Sequence, residues 1–204
     1  MKLLITSAIH AELEPLANAL QAQPTEWGWE TPAHRLLPLG IGPLETLSRL
    51  LLFKEKSSAL LFVGTAGFLN PSQFQIGDLV QASKVTLFDG AALMGHGHFA
   101  SLQEQPSFPS TGTSLELPDV SVVNSLCVTS SEQLSAAIRQ KTDGEVENLE
   151  LFGVAMAAAQ LKLPWSALLG LTNQVGPLGG PQWKENHHQL ADSSAKYLAM
   201  KLSQ

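Results

Sequence analysis

Three short, almost purely apolar segments restrict the folds that this chain can adopt. They span residues 3–7, 58–63 and 164–171, and segments with apolar residues at helical spacing lie between and after them. A strand that is apolar on both faces belongs in a sheet covered by helices on both sides, and such sheets are mostly parallel. The helical segments are residues 10–20, 44–53, 148–161 and 183–202.

We therefore predict an α/β fold, a three-layer α/β/α sandwich in which a mixed, largely parallel central sheet lies between two layers of helices. The 204 residues have the length of a single domain, which we place at residues 1–204. Further strands are predicted at residues 34–38, 76–85 and 122–129. Residues 89–120 contain Gly, Pro and Ser with little periodicity, which predicts an irregular region with at most one strand.

Composition and charge exclude several classes of protein. Apolar residues make up 44% of the chain, as in globular proteins, and a net charge of −6 offers no basic surface for a nucleic-acid backbone. No apolar run reaches the ~18 residues of a membrane span. Polar side chains interrupt the N-terminal segment, which argues against a signal peptide. The single cysteine, Cys127, fits a reducing compartment, so we expect a cytoplasmic protein.

Ligands of open α/β sheets bind at the carboxyl ends of the strands, and two glycine-rich segments are expected there. They are residues 40–43 and 64–67, and the second is predicted to be a turn that ends the strand at 58–63. Neither has the spacing of a Walker loop or of a dinucleotide-binding loop. The paired histidines lack a third ligand, so we predict neither a metal site nor a cofactor. These pairs are His96/His98 and His187/His188.

Three polar residues are candidates for chemistry at the strand ends, and each also has a simpler structural explanation. Glu12 and Glu150 suit the first turn of a helix, where the helix dipole favours a carboxylate. Asn148 suits the N-cap of the second of these helices. Asn173 suits the start of a turn. Taken one at a time, none of these residues indicates a function.

Taken together, the motifs resemble the purine nucleoside phosphorylase and nucleosidase superfamily in both content and order. The resemblance covers most of the chain apart from residues 86–120. It implies a nucleoside phosphorylase-like fold, a small-molecule purine nucleoside as ligand, and a homo-oligomer, either a dimer or larger. The matching stretches are residues 2–5 with Ala8 and Glu12, 40–43, 64–67 with 76–78, 146–150 and 164–176.

Within that superfamily, residues 172–177 followed by Trp183 look most like the futalosine hydrolase family. That family removes hypoxanthine from futalosine in menaquinone biosynthesis. The related nucleosidases that act on methylthioadenosine and S-adenosylhomocysteine usually have Asp where this chain has Asn173, and Met where it has Leu149. Trp183 can cover a ligand pocket, although an aromatic residue early in a helix is more often part of a core or an interface.

The resemblance implies roles for individual residues in the hydrolysis of an N-ribosidic bond. Glu12 would orient and deprotonate the attacking water, and Glu150 would accept hydrogen bonds from the ribose hydroxyls. Asn173 would contact the departing base. The other implied binding residues are Thr65, Ala66 and Gly67 on the ribose side, Leu149 under the sugar or base, and Ser130 and Ser131, at the end of the predicted strand 122–129, against the purine.

The side chain of Asn173 favours one class of base. An amide has an acceptor and donors, so it can accept from a protonated N7 and donate to the O6 of a 6-oxopurine. Adenine has a donor at position 6, and a buried mismatch costs on the order of 1–3 kcal/mol. Asn173 therefore predicts hypoxanthine rather than adenine as the leaving group, and the same argument admits inosine and guanosine.

Three other functions stay open at this point. A methylthioadenosine/S-adenosylhomocysteine nucleosidase is disfavoured by Asn173. A purine nucleoside phosphorylase is disfavoured because no arginine flanks the candidate site, although Arg35, Arg49 or a neighbouring subunit can supply one. A non-catalytic nucleoside-binding module would not require both Glu12 and Glu150.

Overall fold

The computed structural model of the protein describes residues 1–98 and 107–203, so part of the predicted irregular region, residues 99–106, lies outside the described residues. The strands in the described part are β1 (Lys2–Ser7), β2 (Gln23–Pro24), β3 (Trp29–Glu30), β4 (His34–Pro38), β5 (Ser57–Phe68), β6 (Leu79–Leu87), β7 (Ser107–Pro109), β8 (Asp119–Asn124), β9 (Val146–Glu147) and β10 (Trp165–Gln174). The helices are α1 (His10–Ala19), α2 (Pro43–Leu52), α3 (Gly90–Leu93), α4 (Glu132–Lys141), α5 (Leu151–Leu161) and α6 (Gly179–Leu202).

The strands form one mixed sheet, as predicted. Its order is β10-β6-β8-β9-β5-β1-β4-β3-β2, and β7 pairs with β6. Strand β5 is parallel to both β1 and β10, whereas the short strand β9 runs antiparallel to β5. Because β10 pairs with both β6 and β5, the strands β5, β9, β8, β6 and β10 form a closed circuit of hydrogen bonds. The sequence analysis predicted the layers but not this closure.

Helices cover both faces of the sheet, which explains why the central strands lack alternating polarity. In β5, Leu60 and Phe62 belong to one core and Leu61 and Val63 to the other. Helices α2 and α5 cover the first core, and α1 and α6 cover the second. Fully burying a side chain of this size contributes about 1.5–3 kcal/mol relative to exposure, so both faces stabilise the strand. The predicted three-layer α/β/α arrangement is confirmed.

The predicted turn at residues 64–67 is wrong, because β5 continues through these residues to Phe68. The two glycines have no positive φ angle; their role is to leave space for neighbouring groups. A Cβ atom on Gly67 would lie 2.7 Å from Nδ2 of Asn173 on β10. The glycine turn at residues 40–43 differs, since Gly40 and Gly42 have φ angles of +95° and +88°. Such angles favour glycine.

The segment after β8 also differs from the prediction. The strand predicted at residues 122–129 ends at Asn124, and helix α4, which the sequence analysis missed, follows at Glu132. The amide of Asn124 donates to the carbonyls of Ser125 and Leu149 and accepts from the backbone N–H of Phe152. These bonds hold the end of β8 against the start of α5, and the chain leaves the sheet there.

Helix ends near the strand termini are shifted by a few residues. Helix α5 begins at Leu151, and Asn148 caps it from outside by accepting from the backbone N–H groups of Glu150 and Leu151. Helix α6 begins at Gly179, about one turn before the predicted start at Trp183.

None of the helices in the described part combines the length and the apolar character that crossing a bilayer requires.

Candidate active site

A cavity of about 290 Å³ lies where the carboxyl ends of β1, β5 and β10 meet the first turns of α1, α5 and α6. This is the position that the strand topology predicts for a ligand site. Seven of the nine predicted site residues line the cavity, although they are far apart in sequence. They are Glu12, Thr65, Ala66, Gly67, Leu149, Glu150 and Asn173.

The carboxylate of Glu12 is almost completely withdrawn from solvent, with 5% of the residue exposed. Its Oε1 accepts a hydrogen bond from the hydroxyl of Thr65 at 3.1 Å, whereas its buried Oε2 has no hydrogen-bond partner within residues 1–98 and 107–203. Burial raises the pKa of Glu12 from 4.5 to about 7, and the negative charge of Glu150 adds to the shift. A carboxylate with this pKa and one free oxygen can accept a proton near neutral pH.

Glu150 lies directly before α5 and is held by hydrogen bonds to both oxygens. Oε1 accepts from the backbone N–H of Gly42 at 2.9 Å, and Oε2 accepts from Nδ2 of Asn148 at 3.1 Å. Burial raises the pKa of Glu150, and these hydrogen bonds oppose that rise. Each oxygen retains a lone pair, so the carboxylate can accept further hydrogen bonds from a ligand hydroxyl.

Asn173 also lines the cavity, next to Gly67 in the register of β10 with β5. Its Oδ1 accepts from the hydroxyl of Thr172 at 2.8 Å, and its Nδ2 donates to the carbonyl of Gln174 at 3.2 Å. These two bonds fix the orientation of the amide. One lone pair of Oδ1 and one hydrogen of Nδ2 remain available for a ligand.

Trp183, in the first turns of α6, closes one side of the cavity. Its indole N–H donates to the hydroxyl of Thr65 at 3.1 Å. The ring of His187 stacks on the indole with a centroid distance of 4.2 Å and an interplanar angle of 12°. His188 in turn lies against His187 at 4.0 Å. The histidine pair of α6 therefore packs behind Trp183.

Glu147 lies within the matching stretch at residues 146–150 but was not among the predicted site residues. Glu147 lines the cavity and pairs with Gly67 across the β5–β9 ladder. Its two oxygens accept from the hydroxyl and the backbone N–H of Thr129, at 2.5 and 3.2 Å. Burial raises the pKa of Glu147. The signal that could have identified Glu147 is the alternation of side chains between the two faces of β9. A strand of two residues is too short for that alternation to be detected in the sequence.

The prediction for Ser130 and Ser131 is corrected by the structure. Both residues are exposed and neither lines the cavity, because the strand that was expected to carry them ends at Asn124. Ser131 instead caps α4 by accepting from the backbone N–H of Leu134. The nearby residue that does line the cavity is Val128, which is 58% exposed and lies at the rim.

Neither lysine nor arginine is among the described residues that line the cavity. Arg35 is bound elsewhere: its guanidinium pairs with Glu30 at 3.0 Å and with Glu55 at 3.1 Å. Arg49 lies in the last turn of α2 and is exposed. Within residues 1–98 and 107–203, no group of three or more His, Cys, Asp or Glu side chains is arranged to hold a metal ion.

Comparisons with known proteins agree with this architecture. No family model matches the chain. The futalosine hydrolase of Streptomyces coelicolor is 26% identical, over 90% of this chain and 88% of that protein. The structure of a Helicobacter pylori 5'-methylthioadenosine/S-adenosylhomocysteine nucleosidase with butyl-thio-DADMe-Immucillin-A matches with a TM-score of 0.86 and 16% identity, covering 100% of this chain and 98% of the other. A mutant futalosine hydrolase of the same organism matches with a TM-score of 0.85 and 16% identity, covering 100% of both chains.

Proposed function

We propose that this chain, which belongs to the superfamily of purine nucleoside phosphorylases and nucleosidases, hydrolyses the N-ribosidic bond of a 6-oxopurine nucleoside. The substrate that we propose is futalosine, which would yield hypoxanthine and dehypoxanthine futalosine. The observation that carries the proposal is the convergence of Glu12, Glu150 and Asn173 on one cavity. The sequence match to a futalosine hydrolase supports the same substrate.

Glu12 is suited to activate the nucleophile. Its unpartnered Oε2 can accept a proton from a water aimed at C1′, and a pKa of about 7 leaves a large fraction of the carboxylate ionised at neutral pH. General-base catalysis of this kind contributes typically ~10²–10⁴-fold. The proton moves from water to Oε2 while the water oxygen bonds to C1′ and the bond between C1′ and N9 breaks. The electron pair of that bond leaves with the base, which takes up a proton from solvent at N7.

Glu150 is suited to hold the sugar. Its carboxylate is fixed by Gly42 and Asn148 and can accept charge-assisted hydrogen bonds from the ribose hydroxyls. An anionic group beside the sugar also stabilises the positive charge that develops on the ribose in the transition state. Leu149 adds an apolar contact beside it.

Asn173 is suited to recognise the departing base. Its Oδ1 can accept from a protonated N7, and its Nδ2 can donate to O6, because each atom keeps one free bonding position beyond its bonds to Thr172 and Gln174. The 6-amino group of adenine is itself a donor, so it would lie against the Nδ2 donor of Asn173 without forming a hydrogen bond. The mismatch, on the order of 1–3 kcal/mol, corresponds to roughly 5–150-fold against adenine nucleosides.

Water rather than phosphate is the proposed nucleophile. A phosphate anion needs cationic partners, and the described lining of the cavity contains no lysine or arginine. The acidic groups Glu12, Glu147 and Glu150 would repel an anion. A neutral water meets no such barrier.

A panel of nucleosides tests this function. The purified protein is given futalosine, inosine, methylthioadenosine and S-adenosylhomocysteine, with and without phosphate, and the freed base is identified by chromatography. We expect hypoxanthine from futalosine at a rate independent of phosphate, and a rate ~10²–10⁴-fold lower from Glu12→Gln. Release of adenine alone, or strict dependence on phosphate, would replace this proposal by one of the two related enzymes. Binding without release would favour a nucleoside-binding module.

A further inference from the structure

A chain of two hydrogen bonds connects Trp183 with Glu12. The indole N–H of Trp183 donates to Oγ1 of Thr65 at 3.1 Å, and the Thr65 hydroxyl donates to Oε1 of Glu12 at 3.1 Å. An indole N–H can only donate. The hydroxyl of Thr65 must therefore accept from Trp183, and its single proton is left for Glu12.

The two oxygens of Glu12 are thereby made different. Oε1 is occupied by Thr65, while Oε2 is buried and has no hydrogen-bond partner among the described residues. A buried polar atom without a partner is uncommon in proteins and marks a position where a ligand or a water is expected. Since Glu12 lines the cavity, Oε2 is the atom available to a reactant.

Trp183 is itself held in place. His187 lies one helical turn further along α6, its ring stacks on the indole, and its Nδ1 is 3.1 Å from the carbonyl oxygen of Trp183. Thr65 lies on β5, where it pairs with Gly170 of β10, and its carbonyl accepts from Nδ2 of Asn148. The donor, the hydroxyl and the carboxylate are thus each fixed by a regular element.

We propose that Trp183 is a positioning residue, which acts through Thr65 to keep Oε1 of Glu12 occupied and to present Oε2 to the nucleophilic water. This inference rests on the proposed function and adds a residue to it. If the indole donor is removed, the Thr65 hydroxyl can rotate and accept a hydrogen bond from the protonated form of Glu12. The indole therefore favours the ionised carboxylate that the reaction needs.

Several ionisable groups lie near Glu12. Glu150 faces the same cavity from the position directly before α5 and Glu147 from the end of β9, and His187 lies behind Trp183 on α6. His10, on the same helix as Glu12, is exposed. The pKa of Glu12 is raised mainly by burial, then by Glu150, and is lowered by the Thr65 hydroxyl and after it by the backbone N–H groups of Ile9 and Ala8.

The decisive experiment measures the ionisation of Glu12 directly, by NMR titration of protein labelled with ¹³C at the glutamate carboxyls. The set comprises wild type, Trp183→Phe, Thr65→Val and the double variant. We expect Trp183→Phe to raise the pKa of Glu12 by about 0.5–1 unit, the equivalent of one neutral hydrogen bond. In the Thr65→Val background, Trp183→Phe should add no further shift, because the indole acts only through the hydroxyl.

Additive shifts, or no shift in Trp183→Phe, would overturn the proposal. A second measurement does not depend on the Trp183 variant being folded. The indole ¹⁵N–¹H resonance of Trp183 should titrate with the pKa of Glu12 in wild type and in Thr65→Ser, which keeps a hydroxyl, but not in Thr65→Val. An indole resonance that is independent of pH in wild type would also overturn the proposal.

Kinetics distinguish this inference from the proposed function. With futalosine as substrate, Trp183→Phe should shift the acidic limb of the kcat/KM profile to higher pH by the same amount as the NMR titration. Trp27→Phe is the matched control, because Trp27 packs edge-on against Phe53 and does not line the cavity. If no nucleoside is hydrolysed by wild type, the proposed function fails, while the titrations still decide whether Trp183 controls Glu12.

Discussion

Replacing Glu12 with glutamine should stabilise the fold above neutral pH. The pKa of Glu12 is about 7 in the folded chain, against 4.5 for an ordinary glutamate. Between these values the unfolded chain has already lost the proton that the folded chain still holds, so folding stability falls as the pH rises from 4.5 to 7. Above pH 7 both states are ionised and the loss is constant.

The size of the effect follows from the two pKa values. Linkage gives a penalty from Glu12 of about 1 kcal/mol at pH 5 and about 3 kcal/mol at pH 8, a difference of roughly 2–3 kcal/mol. The glutamine side chain has a cost of its own, since an amide at the position of Oε2 lacks a partner, on the order of 1–3 kcal/mol. That cost is the same at both pH values and cancels in the comparison.

Urea unfolding at pH 5 and pH 8 measures the prediction. The stability of Glu12→Gln relative to wild type should increase between the two pH values by roughly 2–3 kcal/mol, or about 1 M in the urea midpoint at m-values of 2–3 kcal/mol/M. Glu14→Gln is the matched control, since Glu14 is exposed on the same helix and its variant should follow wild type at both pH values. If Glu12→Gln also follows wild type, the carboxyl of Glu12 is not perturbed by burial, and its proposed role as a base near neutral pH fails.

Five further outcomes are expected. Glu12→Gln should lower kcat on futalosine by ~10²–10⁴-fold with little change in ligand affinity measured by calorimetry, and wild-type kcat/KM should rise with pH through about 7 as Glu12 ionises. Asn173→Asp should shift the ratio of kcat/KM values towards 6-aminopurine nucleosides, and an unchanged ratio would show that another group reads position 6. Gly67→Ala should lower kcat/KM by about 100-fold in a folded protein, because the added Cβ would lie 2.7 Å from Nδ2 of Asn173 and displace the amide. Ser131→Ala should lower the free energy of unfolding by about 1 kcal/mol through loss of the α4 cap without changing KM.

The layers of the fold were predictable because long buried strands and helices carry a strong local pattern. The apolar run at residues 58–63 has no alternation, and it lies between two cores as such a run should. The closure of the sheet was not predictable, since it depends on β9, which has two residues and no detectable period. That residues 1–204 form a single domain, and that the chain forms a homo-oligomer, stay predictions.

The candidate site, like the fold, has a part that could be predicted from the sequence and a part that could not. Glu12, Glu150 and Asn173 were predictable because each lies near the end of a strand or the start of a helix. The structure brings the three to one cavity. Ser130 and Ser131 were misplaced because the apolar residues at 126 and 128 read as a continuing strand, although both are largely exposed. The hydrogen bond between Trp183 and Thr65 joins residues 118 positions apart, and no local pattern encodes it.

Because residues 64–67 are part of β5 and not a loop, the base of the cavity is built from backbone that is paired with β10 throughout and, at Gly67, also with β9. Such backbone opens only with a large part of the sheet, so its shape is nearly invariant on the timescale of turnover. Adaptation to a new nucleoside would therefore fall to the exposed side chains at the rim, Ile41 and Val128. A library confined to those two positions should alter which sugar substituent is accepted and leave the choice of purine intact.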